Sequence, residues 1–139
     1  MKKIVPVTIA LMATALIAAL TIAGCGPSVS SAPSASSTSY EQISAQQAKE
    51  LMDADDSLVI LDVRTQQEYD QTHIPGAILL PLDQVEERAQ TVLPHKDQLI
   101  LVYCRSGNRS KQASELLAAQ GYVNVKEFGG INDWPFDVE

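Results

Sequence analysis

A chain of 139 residues holds one domain and a modest extra segment. Ten Lys and Arg stand against 17 Asp and Glu, a formal net charge of −7, which excludes a nucleic-acid binder built on clustered basic residues. Two of the four arginines, Arg105 and Arg109, nevertheless sit close together, and a positive spot on an acidic protein points to a small anionic ligand.

From the amino terminus, Met1-Lys2-Lys3 is a short basic start, and Ile4 to Ala23 is apolar apart from threonines. Length alone admits a membrane-spanning helix. The flank decides: Ile22-Ala23-Gly24-Cys25 resembles the bacterial lipobox, an aliphatic residue and two small residues before a cysteine. An uncleaved anchor and a simple secretory peptide are the alternatives. The resemblance implies that residues 1–24 are a lipoprotein signal peptide and that Cys25 is lipidated and becomes the mature amino terminus. The domain is then expected outside the cytoplasm, anchored to a bacterial membrane through the Cys25 lipid. A lipidated thioether cannot form a disulfide, which leaves Cys104, the only other cysteine, as a lone thiol. Residues 25–39 are nearly all Ser, Ala, Pro, Gly and Thr after the cysteine. They bury too little apolar surface to offset ordering and are expected to form a flexible tether.

The domain is expected over 40–139. Tyr40 to Ile43 suits a short strand. Ser44-x-x-Gln47 is a capping box, and Ala48, Leu51 and Met52 mark the apolar face of the helix it opens. Ser57 to Leu61 is a continuous apolar strand closed by Asp62-Val63-Arg64. Thr65-x-x-Glu68 is a second capping box, before a short helix to about Gln71. His73-Ile74-Pro75-Gly76-Ala77 makes a turn into a strand at Ile78-Leu79-Leu80, and Pro81 starts a helix with Val85 and Ala89 inward. The central strand runs from Gln98 to Tyr103. After the Cys104 loop, Ala113, Leu116 and Leu117 mark a buried helical face that Gly121 ends. Val123 to Val125 is the last expected strand, and Phe128 to Trp134 is expected to turn into a final helical piece. Apolar strands alternating with helices predict an α/β fold with a parallel sheet. Ligands of such sheets sit at the carboxyl ends of strands, where Asp62 and Cys104 both fall.

Cys104-Arg105-Ser106-Gly107-Asn108-Arg109-Ser110 joins the central strand to a helix. A thiolate is stabilised near a helix N-terminus and near Arg, and Gly107 lets backbone N–H groups converge into an anion nest. Cys104 is therefore the expected nucleophile rather than a buried structural thiol. A Cys-x-x-Cys redox site is excluded because the loop has no second cysteine.

Leu61-Asp62-Val63-Arg64, Glu68-Tyr69, His73-Ile74-Pro75-Gly76-Ala77, the Cys104–Ser110 loop and Gly129-Gly130-x-x-x-Trp134, in this order, resemble a single-domain rhodanese, a sulfurtransferase. The resemblance implies a five-stranded parallel sheet flanked by helices on both faces, and a persulfide carried on Cys104 between half-reactions. It implies an anionic donor such as thiosulfate, a thiol or cyanide acceptor, and no metal or organic cofactor. Arg105 and Arg109 are expected to attract and orient the anion, with Ser106, Gly107 and Asn108 supplying backbone N–H groups. Related phosphatases place five residues between Cys and Arg. Here four separate Cys104 from Arg109, which favours sulfur transfer over a phosphatase or arsenate reductase. A rhodanese-like binding or sensing module without turnover is the other alternative.

The remaining polar residues suit supporting roles. Asp62 is expected to orient loop backbone rather than act as acid or base, and Arg64 to form a local ion pair with Glu68. His73 is a weak candidate for a proton shuttle, His95 is expected at the surface, and Trp134 in the core.

Overall fold

The computed structural model describes residues 39–139. The expected signal peptide, Cys25 and all but the last residue of the expected tether lie outside the described residues. Five parallel strands form one sheet in the order β1-β5-β4-β2-β3. They are β1 (Glu41–Gln42), β2 (Val59–Asp62), β3 (Ile78–Leu79), β4 (Ile100–Cys104) and β5 (Val125–Gly130). Between them run α1 (Ala45–Ala54), α2 (Gln66–Gln71), α3 (Leu82–Val92) and α4 (Asn108–Ala119), with a 3₁₀ turn at Ile131–Asp133. The α/β class and the parallel sheet are as expected.

Both capping boxes form. The Ser44 hydroxyl accepts from Gln47 N at 3.2 Å, and Ser44 N donates to the Gln47 side chain at 2.9 Å. Thr65 and Glu68 make the same reciprocal pair at the start of α2. Each box satisfies two donors that a helix N-terminus otherwise leaves open. Gly121 follows α4 with a φ of +90°, the left-handed stop expected of a glycine there.

Side chains along β4 alternate between two apolar layers. Ile100, Val102 and Cys104 pack with Val85, Ala89, Ala113 and Leu117 of α3 and α4. Leu101 and Tyr103 face the other way, with Ala48 of α1, Phe128 and Trp134. All five β4 residues are buried, as a central strand covered on both faces must be. The period-two alternation therefore aims the Cys104 thiol at the α4 side.

The last strand lies later than expected. Val123 is 75% exposed, and β5 begins at Val125, paired with Ile100. It continues through Gly129-Gly130, which the sequence suggested as a turn. Gly130 is held as strand because it pairs directly with Cys104, across a register shift between Val102 and Cys104. That irregularity re-aims the end of β4.

Candidate active site

The carboxyl end of β4 delivers Cys104, 1% exposed, into a loop whose Arg105, Ser106 and Asn108 are exposed. Gly107 then reverses the chain with a φ of +98° and starts α4. That left-handed conformation is strained for any residue with a Cβ. It lets the Gly107 amide turn back and donate to Cys104 Sγ at 3.1 Å. Burial pushes the Cys104 thiol up. The polar hydrogens of Ser110, Ser106 and Gly107 around the sulfur outweigh burial and hold the thiol below its ordinary value, while the Ser110 hydroxyl itself lies within hydrogen-bond distance of Glu127 Oε1, Gly107 O and Gly129 O. A thiolate at the α4 N-terminus is the nucleophilic form.

The loop is braced from β5. A Cβ at Gly130 would lie 2.2 Å from Arg105 O and 2.5 Å from Ser106 Cα, so only glycine admits the loop here. Asn132 N also donates to Arg105 O at 3.2 Å. Glu127, 3% exposed, accepts from Gly129 N at 2.8 Å and from the Ser110 hydroxyl at 2.6 Å.

The two arginines of the loop differ. Arg109 donates from Nη1 and Nη2 to the two Glu68 carboxylate oxygens, each at 2.7 Å. This bidentate clamp ties the first turn of α4 to the first turn of α2. The Arg109 hydrogen bond, with the Thr65 cap, lowers the Glu68 carboxyl to about 2. Arg105 is exposed and forms no ion pair among the described residues, so its charge is free at the loop mouth.

The expected ion pair of Arg64 with Glu68 does not form. Arg64 is 3% exposed and turns inward to Asp62, with Nη2 2.6 Å from Asp62 Oδ2. Its Nη2 also donates to Thr72 O at 2.7 Å, while Glu68, on the outer turn of α2, faces Arg109. Asp62 Oδ1 accepts from Arg64 N at 2.9 Å, so this carboxylate orders the connection from β2 to α2. Tyr103 lies on the same network: burial first, then its hydrogen bond to Asp62, push its phenol upward, and its oxygen accepts from Ile74 N at 3.1 Å.

His73 is engaged elsewhere. Its ring stacks on Tyr69 with centroids 3.8 Å apart, and its backbone exchanges hydrogen bonds with Glu139. His95 is exposed. Trp134 packs between Phe128 and Phe136, 5.4 and 4.9 Å between ring centroids, which makes it core. A cavity of about 430 Å³ between α1 and the segment around Trp134 includes no residue of the Cys104 loop. The reactive-thiol geometry, not cavity size, marks the site.

Four residues of the site were not assigned a part in it from sequence: Glu68 as clamp, Ser110 and Glu127 beneath the thiol, and Gly130 against the loop. Glu68 carried a local signal as the end of a capping box, Ser110 as the last residue of the loop and Gly130 as half of a Gly-Gly pair, while Glu127 carried none.

Comparison with known proteins now bears on this geometry. Residues 44–135 match the model of the rhodanese-like domain. The chain belongs to the rhodanese-like family. Its domain is 44% identical over 73 residues to thiosulfate sulfurtransferase PspE of Escherichia coli, covering 52% of this chain and 70% of the relative. It is 40% identical over 88 residues to a sulfurtransferase of Allochromatium vinosum, covering 63% and 79%. Other relatives are much longer: the match spans 20% of the Candida albicans adenylyltransferase and sulfurtransferase UBA4, at 36% identity over 58% of this chain. Among solved structures, an E. coli rhodanese with anions superposes with a TM-score of 0.55 at 40% identity, covering 58% of this chain and 95% of that one. The rhodanese-like Alr3790 protein of Anabaena superposes at 0.65 with 30% identity, covering 70% and 90%. The sulfurtransferase relatives support a rhodanese-type transferase.

Proposed function

We propose that this rhodanese-like domain transfers sulfane sulfur through a persulfide on Cys104. The observation that carries the reading is the Gly107 amide 3.1 Å from Cys104 Sγ, at the head of α4. Nucleophile, anion nest and helix N-terminus coincide at one atom.

In the first half-reaction the Cys104 thiolate attacks the outer sulfur of an anionic donor such as thiosulfate. A Cys104 S–S bond forms as the donor's S–S bond breaks, and sulfite leaves with the electron pair. Arg105 draws the anion to the loop, and Arg109, fixed by Glu68, adds a stationary positive charge. The Ser106, Gly107 and Asn108 amides supply the nest that holds the terminal sulfur. In the second half-reaction a thiol or cyanide attacks that sulfur, and Cys104 leaves as the thiolate. Four residues between Cys104 and Arg109 favour sulfur over a phosphate ester in this loop.

Thiosulfate added to the purified protein, without reducing agent, is expected to raise its intact mass by one sulfur atom, and Cys104→Ser to abolish the gain. An unchanged wild-type mass sinks the proposal. We also propose, from the lipobox resemblance, that residues 1–24 are removed and that Cys25 anchors the domain outside the cytoplasm through residues 25–39. Labelled palmitate is then expected in the wild-type protein and not in Cys25→Ser; equal labelling of both overturns the anchor.

A further inference from the structure

A cavity of about 310 Å³ opens at the carboxyl ends of β2 and β3 and takes no part in the chemistry above. Sheet register sets it beside the nucleophile. Asp62 pairs with Tyr103, and Val63 N donates to Tyr103 O at 3.1 Å. Val63 is therefore the neighbour of Cys104 one step further along, and both side chains lie in the same apolar layer. Leu82 N donates to Val63 O at 3.2 Å, and the Leu82 side chain packs on that layer. Val63, Pro81 and Leu82 thus form an apolar floor that starts next to the thiol, and Arg109 forms the wall on the α4 side.

Charge decides what such a cavity takes. Its two arginines are balanced, Arg64 by Asp62 and Arg109 by Glu68. Asp83, also on the lining, is exposed and forms no ion pair among the described residues. The uncompensated charge of this cavity is therefore negative and disfavours an anionic occupant. Thiosulfate, small and doubly charged, gains nothing from these walls, and its attraction comes from Arg105 at the loop mouth. The thiol that accepts the sulfur is different: its body must lie beside Cys104 while its own sulfur reaches the persulfide. An apolar floor rewards apolar surface taken out of water.

We propose that this cavity is the acceptor subsite of the sulfur-transfer site and takes a thiol whose body is apolar and carries no charge. This rests on the reading of Cys104 as the sulfur carrier. The acceptor, as its thiolate RS⁻, attacks the outer sulfur of the Cys104 persulfide. An RS–S bond forms as the Cys104 S–S bond breaks, Cys104 leaves with the electron pair, and the outer sulfur keeps its hydrogen in the product RS–SH. Leu82 selects for the apolar body, and Asp83 turns away a carboxylate.

The test follows loss of one sulfur from protein loaded with thiosulfate and freed of excess donor, by intact mass. Three acceptors are compared: benzyl mercaptan, 2-mercaptoethanol and 3-mercaptopropionate. Each rate is divided by that of the same thiol with cysteine persulfide in solution, which removes differences in thiol basicity. Benzyl mercaptan is expected to be about tenfold faster than 2-mercaptoethanol on this scale, with 3-mercaptopropionate slowest. An advantage below about twofold overturns the proposal, being less than one buried methylene supplies.

Leu82→Asn is expected to cut the advantage to about twofold or less while thiosulfate loading and the 2-mercaptoethanol rate stay near wild type. An undiminished advantage in that variant places the apolar body elsewhere and overturns the subsite. Should Leu82→Asn fail to fold, the exposed change Asp83→Asn decides: the 3-mercaptopropionate rate is expected to rise about threefold at low salt and the 2-mercaptoethanol rate to hold. No rise overturns the subsite as well. Failure to gain mass with thiosulfate overturns the transfer reading and this proposal with it; loading without preference among acceptors overturns this proposal alone.

Discussion

Glu68 does two jobs at one position. As the third residue of α2 it closes the capping box with Thr65, and its carboxylate oxygens then reach across to both Arg109 nitrogens. Its carboxyl is lowered from 4.5 to about 2, chiefly by the Arg109 hydrogen bond. A lowered carboxyl stabilises the fold above its unfolded value and ceases to do so as pH falls through the folded one. Glu68→Gln is therefore expected to cost about 1 kcal/mol at neutral pH, the size of a part-exposed pair. The deficit should hold above pH 4.5 and shrink towards zero as pH falls to about 2. Urea denaturation of both proteins across that range checks it; a deficit that stays constant down to pH 2 contradicts the assignment. What sequence could show of this residue was its local half. The capping box lies within four residues and was legible; the partner Arg109 is 41 positions away, and no spacing rule connects them. Arg64 was therefore paired with the wrong carboxylate, since its closer choice, Asp62, was reserved for backbone.

Elements were legible to the degree that their signals are local. Helices α1, α2 and α4 announced their caps or stops, and β2 and β4 were continuous apolar runs. β5 was displaced because Gly129-Gly130 carries turn chemistry, and only its neighbour in the sheet makes it a strand. Gly130 has φ −129° and ψ 152°, which any residue tolerates, so its requirement for glycine is wholly one of space. A methyl group there meets Arg105 O at 2.2 Å, and the atoms it meets are backbone. Gly130→Ala is thus expected to move the Cys104 loop rather than unfold the domain, at about 1–3 kcal/mol, the usual range for overpacking. A loop displaced by even an ångström loses its alignment with the anion, so sulfur loading should slow about 100-fold. Gly76 has open space around its Cβ position but a φ of +77°, so Gly76→Ala carries backbone strain outside the Cys104 loop, and its loading should stay near wild type. Equal loss in both variants contradicts the steric account.

At the scale of the whole molecule, a net charge of −7 opposes the approach of the anionic donor proposed above. The two influences have different reach. Repulsion from carboxylates spread over the surface acts at long range and is screened within about 10 Å at 0.1 M salt. Attraction by Arg105 acts at contact, and because Glu68 already balances Arg109, Arg105 is the uncompensated charge in the loop. Arg105 is itself exposed, so salt weakens its attraction along with the surface repulsion. For the wild type the opposing changes are expected to hold kcat/KM for thiosulfate within about twofold between 0.01 and 0.1 M salt. Arg105→Gln leaves only repulsion: its kcat/KM should fall about tenfold at low salt, and recover severalfold as salt rises. Steady-state kinetics at several ionic strengths distinguish the cases. Parallel salt profiles for the two proteins contradict the division of labour between the arginines, and would return Arg109 to the part of direct anion ligand.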